Sequence, residues 1–143
     1  MAGASIFTVV VRCADPRLEP FFSDPTTRAL MGLEPVREPL GEAHISNVGG
    51  LLSLTGAAAP RLVHDASLLG TLFGGGAARV VLTAHSECGG YIAAVGGDAE
   101  RVRERQMDDV RTTAHRISEA APALLVDAYY LDLETGSVET IDS

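Results

Sequence analysis

The chain has 143 residues, 46% of them hydrophobic and 21% charged, which fits one soluble domain over residues 1–143 that can bury a core without disulfides. Its net charge is −8, and its side-chain cations other than histidine are all arginines. An acidic surface disfavours nucleic acid, and the lack of lysine excludes Schiff-base and P-loop chemistry.

No apolar run approaches the ~20 residues needed to cross a membrane, so no membrane association is expected. The first residues lack the basic-then-apolar order of a signal peptide. The expected location is therefore the cytoplasm, where thiols stay reduced.

Residues 6–11 are a β-branched run with one aromatic, which predicts a strand buried on both faces. Residues 18–33 are mixed and broken by Pro20 and Pro25. Asp24 as N-cap with Pro25 at the first helical position predicts a short helix over 25–31. Residues 34–41, with Pro35 and Pro39, read as loop. A short strand is expected over 44–47, followed at Val48-Gly49-Gly50 by a tight turn or a close backbone approach. Residues 51–59 are small and apolar.

Pro60 opens a predicted helix to 73, with Leu62, Ala66, Leu69 and Phe73 on one face and a glycine stop at 74–76. Residues 78–84 are the second strong strand. A short helix is expected over 91–95, ended by Gly96-Gly97. Asp98 then caps a long helix to about 120 with the apolar stripe Val102, Val110, Ala114 and Ile117. Residues 124–133 form a third strong strand, 134–137 a turn, and 138–141 an antiparallel return. Strands alternating with helices predict an α/β fold, a mostly parallel central sheet flanked by helices, with a C-terminal antiparallel hairpin strand.

The two cysteines, Cys13 and Cys88, each follow a predicted buried strand. In open α/β sheets, ligands collect at the carboxyl ends of strands. Cys13, His85 and Cys88 supply two thiols and an imidazole, the donor set of a zinc site that keeps a fourth position open. His85 and Cys88 can clasp an ion from one turn, whereas Cys13 must arrive from another strand. Asp15 can be a fourth ligand or a hydrogen-bond acceptor beside a metal-bound water, and Arg17 can hold it through its planar fork. A disulfide would leave Asp15, Arg17 and His85 without a role. A cysteine-dependent phosphatase loop needs a longer Cys-to-Arg spacing than the four positions from Cys13 to Arg17. His44 and Tyr91 are pocket candidates that read first as packing residues, and His64 and His115 read as solvated.

These motifs on this strand order resemble the β-class carbonic anhydrase family. Ile45-Ser46-Asn47-Val48-Gly49-Gly50 resembles its Arg-Asn-Ala-Gly segment, and residues 79–90 (RVVLTAHSECGG) its strand and His-x-x-Cys-Gly-Gly loop. Residues 130–136 (YLDLETG) resemble its closing hairpin. The resemblance implies one zinc ion per chain on Cys13, His85 and Cys88, a catalytic dyad of Asp15 and Arg17, and a substrate pocket including Asn47, Gly49, Gly89 and Gly90. It implies reversible hydration of carbon dioxide to bicarbonate through metal-bound hydroxide, in a homodimer or higher homo-oligomer. Alternatives on the same scaffold are a zinc hydrolase of carbonyl sulfide or carbon disulfide, and a non-catalytic zinc-binding relative. The chain departs from the family at Ser46, where an arginine is usual, at Pro16, where a serine is usual, and in the proline-rich stretch before residue 44; with its first strand predicted so near residue 1, it is expected to lack the family's N-terminal helical arm.

Overall fold

In the computed structural model, which describes residues 6–47, 59–75 and 78–142, the valine-rich runs form the middle of one sheet. Strands β1 (Phe7–Cys13), β2 (Glu42–Asn47), β3 (Ala78–His85), β4 (Leu125–Leu131) and β5 (Val138–Thr140) lie in the order β2-β1-β3-β4-β5. The first four are parallel, and β5 runs antiparallel to β4. This is the expected α/β architecture.

Both faces of the central strands are covered, which is why they read as unbroken apolar runs. Val9, Val10, Val11, Val80, Val81 and Leu82 are all 0% exposed. Each such side chain contributes about 1.5–3 kcal/mol by leaving water. Helices α1 (Glu19–Ser23), α2 (Pro25–Leu30), α3 (Ala59–Phe73), α4 (Gly89–Val95) and α5 (Ala99–Ala120) supply the cover. On one face Leu62 and Ala66 of α3 and Val110, Ala114 and Ile117 of α5 pack on Val9, Val11, Val80 and Leu82. On the other, Phe21, Phe22, Met31 and Tyr91 pack on Val10, Val81 and Leu131.

Local signals placed the helix starts. Asp24 caps α2 by accepting from the Thr26 amide, and Asp98 caps α5 by accepting from the amides of Glu100 and Arg101. Several boundaries differ from expectation. β1 and β3 run on to include Cys13 and His85 themselves. Pro20 does not break the chain; it lies in the first turn of α1, where its missing N–H has no partner to lose. α4 begins at Gly89, two residues before the expected Tyr91. The expectations for residues 48–58, Gly49 among them, lie outside the described residues.

The proline-rich stretch before β2 is tied down by a buried ion pair. Arg28, 1% exposed, donates to both carboxylate oxygens of Glu42 at 3.2 and 2.7 Å and to the carbonyls of Phe22 and Glu34 at 2.8 and 2.6 Å. His44 Nε2 lies 2.6 Å from the same carboxylate and meets Phe22 edge-on. Burial pushes the Glu42 carboxyl up, but the bonds from His44 and Arg28 outweigh it and bring it from 4.5 down to about 2.

Candidate metal centre

Strand order decides where the chemistry sits. From β1 the chain passes to β2 on one side and then crosses to β3 on the other. The carboxyl ends of β1 and β3 therefore flank a topological switch point, where α/β sheets open a crevice. Cys13 ends β1, His85 ends β3, and Cys88 immediately precedes α4.

All three are buried, and their ligating atoms lie within 4.8 Å of one another. The cysteines are free, with sulfurs 4.0 Å apart. That is far beyond a disulfide bond of about 2.05 Å. It is close to the roughly 3.8 Å edge of a tetrahedron with zinc–sulfur bonds of ~2.3 Å. His85 shows which of its atoms is free. Nδ1 lies 2.6 Å from the Ser86 carbonyl, which can only accept, so Nδ1 carries the proton. Nε2 is left with its lone pair, buried and without a hydrogen-bond partner. Burial lowers the pKa of the imidazole and keeps it neutral, the form that binds metals. Burial pushes the Cys88 thiol up, and the neighbouring Cys13 adds to this, while the amides of Tyr91 and Gly90 bond to the sulfur and oppose it. Two adjacent buried thiols, beside an orphaned imidazole nitrogen, are a donor set that a dication would satisfy.

Asp15 and Arg17 stand beside this triangle on a 3-10 turn, Pro16–Leu18. Asp15 caps the turn by accepting from the Arg17 amide at 2.9 Å. Pro16, where the resembled family has serine, sits in the first turn and suits it. The Arg17 guanidinium grips the Asp15 carboxylate from Nε at 3.2 Å to each oxygen and from Nη2 at 2.8 Å. Those side-chain bonds, above all, lower the Asp15 pKa below the usual carboxylate range. Arg17 also reaches the β3 loop, donating to the Glu87 carboxylate at 3.3 Å and the Glu87 carbonyl at 3.2 Å.

Asn47 lies in register with Cys13, and its carbonyl accepts from the Ala14 amide at 2.9 Å. Gly89 and Gly90 are the first residues of α4. An added Cβ at Gly89 would meet nothing within 4 Å, so that position shows no steric need for glycine. Tyr91 and His44 are packing residues. The Tyr91 hydroxyl donates to Asp109 at 2.7 Å, and burial holds its pKa far above the usual value. His115 is exposed and pairs with Glu119, and His64 is exposed.

Two residues at this centre escaped the sequence reading. One is Glu87. The other is Gln106, 1% exposed on α5, which donates to the His85 carbonyl at 2.9 Å. Gln106 had a readable signal: it fills the gap between Val102 and Val110 in the apolar stripe of α5. A cavity of about 890 Å3, lined among others by Ile6, Thr8, Phe73 and Arg79, opens at the amino ends of the strands, away from the cysteines.

No protein-family model matches this chain, and no curated protein sequence does. Solved structures do. A carbonic anhydrase from Glaciozyma antarctica is 16% identical, with 99% of this chain and 85% of that one covered at a TM-score of 0.61. Two tetrameric β-carbonic anhydrases from Sordaria macrospora are represented by a match at 16% identity, 99% and 83% coverage and a TM-score of 0.61. A carbonic anhydrase from Streptococcus mutans matches at 18% identity, 98% and 84% coverage and a TM-score of 0.60. The fold is that of the β-carbonic anhydrases along nearly the whole chain.

Proposed function

We propose that this β-carbonic-anhydrase-like chain is a zinc enzyme that reversibly hydrates carbon dioxide to bicarbonate. The observation that carries the reading is the buried Cys13–His85–Cys88 triangle, with His85 Nε2 lacking a partner, beside the Asp15–Arg17 pair. A purely structural clasp would have no use for that pair.

Cys13, His85 and Cys88 would hold the ion. Bound there, zinc supplies a Lewis acid that brings the pKa of a coordinated water to about 7. The remaining chemistry belongs to the chain. Arg17 keeps Asp15 ionised and turned toward itself, so the carboxylate can accept the reacting water's hydrogen bond and orient it. The Ser86 carbonyl fixes the ring of His85, and the Gln106 amide fixes its backbone. The amides of Gly90 and Tyr91 stabilise the Cys88 sulfur. Asn47, Gly49, Gly89 and Gly90 are proposed to line the substrate pocket.

The tetrameric state of the Sordaria macrospora structures supports a homo-oligomer here as well. Among the described residues no helix is long and apolar enough to cross a membrane, and we place the enzyme in the cytoplasm. The test is stopped-flow carbon dioxide hydration by zinc-loaded protein between about pH 6.5 and 9, the range around the acidified water. Catalysed hydration that disappears in Cys13→Ser is expected. A rate equal to buffer from fully loaded wild type would overturn the activity.

A further inference from the structure

Among the described residues, Glu87 is the one non-glycine residue with a positive φ, at 57°. A side chain in the left-handed region is strained, and such strain persists where surrounding contacts over-determine it, often at functional sites. Glu87 sits between His85 and Cys88. Its twist turns both of its acceptors onto Arg17: the carbonyl lies 3.2 Å from Nη2 and the carboxylate 3.3 Å from Nη1. Arg17 is thereby divided. Nε and Nη2 grip Asp15, while Nη1 and the outer face of Nη2 are tied to the β3 loop. If only a turn were needed, glycine or asparagine would adopt this backbone at lower cost.

We propose that Glu87 is a positioning residue that pins the outer edge of Arg17. The pin keeps Asp15 docked on the guanidinium and out of the fourth metal position. This rests on the zinc reading of the site. The side chains of Arg17 and Glu87 are 52% and 58% exposed. The pin is therefore a modest, salt-sensitive effect, shifting the open position by roughly two- to fivefold.

The experiment loads the protein with cobalt(II) and follows its visible absorption during titration with thiocyanate at constant ionic strength. Thiocyanate competes for a free fourth position. Glu87→Gln is expected to weaken thiocyanate binding about twofold or more, although loss of a nearby negative charge alone would strengthen binding of an anion. Glu87→Gly is expected to weaken it as well, although glycine adopts φ 57° freely. Wild-type affinity in Glu87→Gly would reduce the residue to a turn former, and tighter binding in Glu87→Gln would reduce it to a remote charge; either overturns the inference and leaves the zinc reading standing. Failure of the wild-type protein to take up cobalt or zinc would overturn both.

Discussion

Two arginines in this molecule grip a carboxylate, Arg28 through Nη1 and Nη2 and Arg17 through Nε and Nη2, and they do different work. Arg28 is buried with Glu42, and the remaining contacts of the pair go to the carbonyls of Phe22 and Glu34 and to His44 Nε2. Arg17 holds Asp15 just as closely but keeps half of its side chain in water. A buried pair cannot open without leaving an uncompensated charge, so it fixes the loop that feeds β2. An exposed pair exchanges partners at little cost, so it can present or withdraw a carboxylate. Burial, more than residue type, separates the structural pair from the one proposed to act in catalysis.

The widest break in this comparison comes at Arg28. Arg28→Met should destabilise the fold by about 3–5 kcal/mol and lower the midpoint of thermal unfolding by about 10 °C or more, while zinc per folded chain stays constant. Calorimetry and metal analysis on the same sample check both halves. Arg17→Ala should do the reverse. Stability should change by less than about 1 kcal/mol and metal should be retained, while carbon dioxide hydration falls about a hundredfold or more. An active Arg17→Ala protein would remove the dyad from the mechanism. Gln106→Leu leaves the His85 carbonyl unpaired in the core, and zinc affinity measured against a competing chelator should fall about tenfold.

Mild acid gives the smallest contrast. Because the Glu42 pKa is lowered from 4.5 to about 2, its pairing contributes stability that is complete above pH 4.5 and drains away as pH falls toward 2. Urea unfolding should show wild type weakening over that window and Glu42→Gln, already weaker, changing less.

The features legible in the sequence were those that depend on neighbours along the chain. Unbroken apolar runs gave the strands, Asp24 and Asp98 gave their helix starts, and the strand-end positions of Cys13 and His85 pointed to the buried Cys13–His85–Cys88 triangle. What escaped needed the third dimension. Arg28 and Glu42 are 14 positions apart and meet only because α2 folds back beside β2. Helix α1 was hidden because Pro20 reads as a breaker unless its first-turn position is known. Glu87 carries no local mark of a left-handed backbone. Gln106 was visible as a polar residue in an apolar stripe, but its partner, a carbonyl at the end of another element, was not.

The most direct test of the account is X-ray absorption at the zinc edge of the purified protein, with metal content determined on the same sample. About one zinc per chain is expected, with two sulfurs at ~2.3 Å and two nitrogen or oxygen ligands at ~2.0–2.2 Å. Zinc content near zero, or a shell without sulfur, would contradict the claim that Cys13, His85 and Cys88 form a metal centre.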